Sequence, residues 1–289
     1  MTFNYFNQGG LTAGFTAMGR GATGWFSRHL PNLSAQIGTR FLLSPNGKRD
    51  THFDGMEPDA ILALHCQLGR VRVNLFGQGQ GQRYAVMSHG WADNGQSFQH
   101  LVPALVAQGY RVAVIDHIGH GRSEGKRAHL PAFIETMSAL ITTLEADGGK
   151  VELLVGHSMG GVATLNLPAE LLSGRQVILI AVPVQFFELM FDAVERLGIA
   201  RGFLIRVLER VTAGYGIDWQ ELRAERHLTK LHDNVVFIHD REDRFAPFAH
   251  TERFARQAKA RMIVTQGLGH RRILGDTGVI NHIRELVAA

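Results

Sequence analysis

From about residue 70 to the C-terminus, short β-branched runs alternate with longer stretches of helical periodicity. A chain with that rhythm has few options besides a largely parallel sheet covered by helices. The strands are read at residues 84–88, 112–115, 151–155, 177–182, 235–238 and 262–265. Helices are read over about 96–108, closed by Gly109, and over 131–146, with Pro131 at the start and Gly148 and Gly149 past the end. Others begin near Ser158, after Pro247 and at about Arg272. Residues 70–76 alternate apolar and polar side chains and run into GQGQGQ at 77–82, so the opening reads as a hairpin. Those glycines do not match a phosphate-binding fingerprint.

The alternation stops between residues 183 and 232. Three helical patterns follow one another there: Phe187, Met190, Phe191, Val194, then Leu204, Val207, Leu208, Val211, then residues 219–228. The chain is therefore divided into an N-terminal extension of unclear structure (1–60), an α/β core (61–182 and 233–289) and a helical cap (183–232).

Hydrophobic residues make up 45% and charged residues 19%, which suits a soluble globular protein and excludes a disordered chain or a membrane bundle. The net charge is +4, with basic residues scattered singly, so nucleic acid is not an expected partner. A single cysteine, Cys66, permits no intramolecular disulfide. The N-terminus lacks a basic segment followed by an apolar one, so no secretory signal is read and a cytoplasmic location is expected. The apolar stretch 177–194 is interrupted by Pro183, Gln185, Glu188 and Asp192 and does not read as a membrane span. Leu11, Phe15, Met18, Ala22 and Trp25 recur at helical spacing. With only Arg20 and Arg28 basic among them, that stripe is expected to pack on its own domain and not to lie on a membrane.

Gly156-His157-Ser158-Met159-Gly160 fits G-x-S-x-G, a pattern that 33 glycines and 9 serines in 289 residues would produce by chance roughly 0.1 times. It follows the apolar strand VELLV and runs straight into VATLNL, a strand–turn–helix context that exposes a serine in strained backbone at a helix start. A serine hydroxyl is a weak nucleophile and needs a base and a carboxylate to orient that base. His270 lies just beyond strand 262–265 and Asp243 just beyond strand 235–238, so all three sit at carboxyl ends of strands, where ligands meet an open α/β sheet. Asp240 follows its strand too closely to reach the GLGH turn, which favours Asp243 as the acid. The backbone N–H groups of Trp91, at the end of strand 84–88, and of Met159 are assigned to an oxyanion hole. His117 and His120 have no third ligand at recognisable spacing, so no metal is expected, and the glycines of 116–123 lack the helix a dinucleotide site requires; no cofactor is read.

Taken together, HGW at 89–91, D-x-x-G-H-G-x-S at 116–123, GHSMGG at 156–161, D-R-x-x-P at 243–247 and GLGH at 267–270 make the chain resemble the α/β-hydrolase superfamily, of the serine esterase and lipase type, from about residue 70 onward. Ile118 departs from the proline that relatives often carry. The resemblance implies ester hydrolysis through an acyl-Ser158 intermediate; a dehalogenase or epoxide hydrolase of this fold would place Asp at 158. Thioester, lactone or carbon–carbon bond hydrolysis would use the same three residues, and a non-catalytic binding protein is the reading from another class. The expected partner is a small ester with an apolar acyl group, received by Phe186, Phe187, Met190 and Phe191 of the cap; the oligomeric state is open.

Overall fold

Strands that are apolar at successive positions must be covered on both faces, and the fold is the arrangement that does so. The computed structural model describes residues 13–45, 47–231 and 234–288. Helices α1 (Ala13–His29) and α2 (Pro31–Leu42) precede the antiparallel pair β1 (Ala60–Cys66) and β2 (Gly69–Phe76). The repeating part then runs β3 (Arg83–Ser88), α3 (Leu101–Val106), β4 (Arg111–Asp116), α4 (Leu130–Ala146), β5 (Lys150–His157), α5 (Met159–Leu165), α6 (Ala169–Leu172) and β6 (Gln176–Ile180). Between β6 and β7 (Val235–Asp240) lie α7 (Phe186–Arg196), α8 (Arg201–Ala213) and two 3-10 turns, Trp219–Leu222 and Ala224–Lys230. The chain closes with α9 (Phe248–Gln257), β8 (Arg261–Thr265), α10 (Gly269–Arg272) and α11 (Thr277–Ala288).

The eight strands form one sheet in the order β1-β2-β4-β3-β5-β6-β7-β8, parallel from β4 to β8. Alternate side chains feed two cores, as a period of two requires. Val86, Ile115, Leu154, Leu179 and Phe237 join α4, α5, α7 and α8 on one face, while Met87, Val114, Val155, Ile178 and Ile238 meet α3 and α11 on the other. The succession β4-β3-β5 reverses the direction in which the sheet is laid down. The carboxyl ends of β3 and β5 therefore flank a crevice, the usual ligand position in such a sheet.

Five expectations need correction. The hairpin lies one strand earlier: β2 pairs with β1 and β4, and GQGQGQ carries the chain on to β3 instead of turning β2 back. β1 escaped notice because it is an edge strand with mostly exposed side chains and so lacks a clear apolar alternation. The helix read over 96–108 is a 3-10 turn at Gly95–Phe98 followed by α3, and the closing helix is broken at residues 273–276 into α10 and α11. The third cap pattern folds as 3-10 turns. The N-terminal stripe does not pack inward: Phe15 is 64%, Met18 68% and Trp25 56% exposed, and Ala22 is exposed as well. Leu11, and residue 232 at the end of the cap, lie outside the described residues.

The inward face of α1 is built mostly from small residues, with Phe26 against Phe203 near its end. A Cβ on Gly19 would lie 2.7 Å from the Gly198 carbonyl oxygen, and Thr23 Oγ1 accepts from the Ala200 N–H at 2.9 Å, so α1 sits on the α7–α8 connection. α2 lies along α8, with Gly38 against Val207 and Phe203. Among the described residues no helix is long and apolar enough to cross a membrane.

Candidate active site

Ser158 sits at the turn from β5 into α5 with φ +52° and ψ −122°, a left-handed conformation that costs a non-glycine residue of order 1–3 kcal/mol. The surroundings enforce it. A Cβ on Gly160 would fall 2.1 Å from the Ser88 carbonyl oxygen and one on Gly161 2.2 Å from a Val182 methyl group, so only glycine lets α5 approach β3 and β6 this closely. The Ser158 carbonyl accepts from the N–H groups of Gly161 and Val162 and so starts the helix, while its side chain stays at the crevice.

Two other strands deliver its partners. His270, on α10 just after β8, places Nε2 3.0 Å from Ser158 Oγ, and its Nδ1 lies 2.7 Å from Asp243 Oδ2. Since Asp243 can only accept when ionised, Nδ1 carries the proton and Nε2 faces the hydroxyl as an acceptor. Asp243, in the loop between β7 and α9, also accepts at Oδ1 from the N–H groups of Phe245 (2.8 Å) and Ala246 (2.9 Å). Its burial pushes the carboxyl pKa up, but hydrogen bonds from His239, His270 and the Ala246 N–H outweigh burial and hold it below the ordinary range. Asp240 is spent elsewhere: it accepts from the N–H groups of Glu242 and Leu268 and from the Thr265 hydroxyl, and so ties the ends of β7 and β8 together.

At the end of β3, Gly90 lies against the serine; a Cβ there would be 2.9 Å from Ser158 Cβ and 3.3 Å from Oγ. The next residue, Trp91, and Met159, whose N–H begins α5 and has no acceptor within the helix, both border the space around Ser158. What fixes this turn was not legible as function in the sequence. His89 Nδ1–H donates to the Gly90 carbonyl at 2.7 Å, and His120 Nε2 accepts from the Ala92 N–H at 3.1 Å across the turn. His117 Nε2 lies 2.7 Å from the Ser88 hydroxyl, and His89 Nε2 accepts from the His117 N–H. The histidines of the HGW and DHIGHG segments therefore shape the backbone beside Ser158. Burial pushes the pKa of all three down, that of His120 to about 3. His157 donates from Nε2 to the His270 carbonyl at 2.9 Å and links the loop after β8 to the end of β5.

Two spaces open from Ser158. A predominantly apolar cavity of about 350 Å³ runs under α7 and α8. Phe186, Phe187 and Met190 line it, joined by Leu208 and Val211 of α8, which sequence reasoning had placed only as helix-forming residues. Phe191 does not line it. One helical step further round α7, it packs edge-on to Trp219 with ring centroids 5.7 Å apart. On the other side a recess of about 30 Å³ is bordered by Gly90, Asp93, His157, His270 and Arg271.

A family model described as "Serine aminopeptidase, S33" matches residues 80–213, which include β3, the serine turn and α7–α8. The chain has the α/β-hydrolase fold, and its segment 80–213 is similar to that superfamily. Over 80 residues, 26% of its length, the chain is 38% identical to a monoacylglycerol lipase of Mycolicibacterium smegmatis, covering 29% of that protein. Over 76 residues, also 26%, it is 36% identical to epoxide hydrolase B of Mycobacterium tuberculosis, covering 21%. The chain thus spans less than a third of the length of these curated relatives. Among solved structures it is similar to an esterase of Pyrococcus furiosus, with a TM-score of 0.62 at 12% identity over 85% of this chain and 97% of that one.

Proposed function

We propose that this hydrolase cleaves carboxylic esters of apolar acyl groups through an acyl-Ser158 intermediate. The observation that carries the reading is the unbroken line Asp243–His270–Ser158, with contacts of 2.7 and 3.0 Å, opening onto the apolar cavity under α7 and α8. Neutral His270 Nε2 takes the hydroxyl proton as Oγ attacks the ester carbonyl carbon, and the negative charge on the carbonyl oxygen is received by the N–H groups of Met159 and Trp91. His270 then returns the proton to the departing alkoxide, which leaves as the alcohol through the smaller recess. Water, activated by the same imidazole, attacks the acyl carbon and releases the carboxylic acid and free Ser158. Asp243 stabilises the transient imidazolium and stays ionised, in keeping with its lowered pKa.

Serine at 158, where an epoxide hydrolase of this fold needs an aspartate, sets the chain apart from one of its relatives and supports the acyl-enzyme route. The test is a substrate panel. Purified protein should hydrolyse p-nitrophenyl esters with a preference for longer acyl chains over acetate, and a fluorophosphonate should label Ser158 alone. Turnover of thioesters or lactones at rates far above esters of equal acyl length would replace the ester reading. Fluorophosphonate labelling that persists in Ser158→Ala would remove the nucleophile assignment.

A further inference from the structure

The helix pair α1–α2 is largely inverted relative to an ordinary surface helix: apart from Phe26 and Leu42, the residues facing the protein are small, and most of the large apolar ones face outward. Phe15, Met18 and Trp25 of α1 and Leu33, Ile37 and Phe41 of α2 are between 37% and 68% exposed. A contiguous apolar face of this kind marks an interaction surface, since a soluble fold gains nothing by presenting it to water. The opposite faces of both helices are occupied by the α7–α8 connection and by α8, so the outward faces cannot turn in.

Charge identifies what fits there. The first 49 residues carry Arg20, Arg28, Arg40, Lys48 and Arg49 and no Asp or Glu, whereas the rest of the chain is close to neutral, with 25 Lys+Arg against 26 Asp+Glu. The positive excess of the protein therefore lies in the same stretch of sequence as its exposed apolar face. Gln36 and Arg40 of α2, one helical turn apart, and Ser44 just past it border a groove with Lys126 and Arg127 of the loop before α4. Among the described residues none of Arg40, Lys126 and Arg127 has a carboxylate within ion-pair distance. Apolar side chains flanked by unneutralised cations, with an indole among them, suit the boundary between acyl chains and anionic headgroups.

We propose that α1 and α2 dock this protein on the surface of an anionic lipid bilayer, with Trp25 and Phe41 entering the acyl boundary and Arg40, Lys126 and Arg127 meeting headgroup phosphates. The proposal does not depend on the ester reading, because none of these side chains borders Ser158. It also gives α8 two roles: Val207 touches Gly38 of α2 and borders the cavity, and Leu43, just past α2, borders the same cavity, so the docked face and the cavity share a wall.

Flotation of the full chain with vesicles tests this. The protein should rise with vesicles of phosphatidylglycerol and phosphatidylcholine mixed 3:7, and partition at least tenfold less onto pure phosphatidylcholine. Trp25→Ser with Phe41→Ser should lose binding to both. Arg40→Gln with Lys126→Gln should weaken binding to the anionic vesicles by on the order of tenfold or more, at about fivefold per charge, and leave residual binding to phosphatidylcholine unchanged. Each variant is compared only if its thermal midpoint matches that of the parent; exposed positions make that the expected result. Absence of flotation by the parent, or flotation of the double serine variant equal to it, would overturn the proposal. So would a dimer in analytical ultracentrifugation that the serine variant dissociates without any vesicle binding, which would make a second copy the occupant.

Discussion

Ser158 and Asp243 carry the sharpest expectations at the scale of single residues. Removing the hydroxyl in Ser158→Ala takes away the only nucleophile that His270 faces, so kcat should fall by on the order of 10⁶ with no loss of stability. Asp243→Asn is expected to lower kcat by roughly 10⁴, because an amide can donate to Nδ1 and favour the tautomer that leaves no acceptor toward Ser158. Asp240→Asn separates position from chemistry. Its carboxylate accepts from the N–H groups of Glu242 and Leu268 and from the Thr265 hydroxyl, so the variant should lose stability, about 1–3 kcal/mol, while keeping most of kcat relative to Asp243→Asn. Steady-state kinetics beside urea unfolding distinguish the two; equal kcat losses in the two variants would mean that the acid is not Asp243 alone.

Among the elements, α5 and α7 set the geometry. Gly160→Ala would drive a methyl group into the Ser88 carbonyl, and since the obstacle is backbone, the cost should be about 3 kcal/mol, together with loss of activity as α5 shifts away from β3. On α7, Met190→Trp should shorten the preferred acyl chain by filling the cavity, whereas Phe191→Leu should leave the acyl-length profile unchanged, because Phe191 faces Trp219 and not the cavity. An unchanged profile for Met190→Trp would remove the acyl role of the cavity. The site was legible in the sequence where a strand is plain: β5 and β7, buried almost throughout, are apolar runs, β8 at the sheet edge is a short run around Met262, Ile263 and Val264, and the residues just past each have one place to go. What was not legible depends on which face of an element finds a partner. Periodicity located α1, but nothing in the spacing of Phe15, Met18 and Trp25 distinguishes a face that packs from one that does not; the answer lay in Gly19 and Thr23, residues too small to register as a pattern. The same ambiguity holds at Phe191, which faces Trp219 while Phe187 and Met190 of the same helix border the cavity.

For the whole molecule, the buried histidines make stability depend on pH. Burial holds His120 and His157 at about 3 and His129 and His227 at about 4, with His89 and His117 lowered as well. In the unfolded chain each would titrate near ~6.5. Between the two values the unfolded state binds more protons, so stability is complete above about pH 6.5 and is lost as the pH falls below it, by up to ~1.4 kcal/mol per pH unit for each histidine. The thermal midpoint should therefore drop steeply from pH 7 to pH 5; a midpoint flat across that interval would mean that these rings are protonated in the fold. The placement of α1 and α2 has a further consequence, in the order of synthesis. Their seat is α8, which ends at Ala213, so roughly 170 residues must be translated after α2 before the seat exists. At ~5–20 residues per second the helix pair waits for roughly ten to thirty seconds with both its apolar and its small-residue face uncovered. The first thing these helices meet is therefore whatever surface lies near the ribosome, and only afterwards the rest of their own chain.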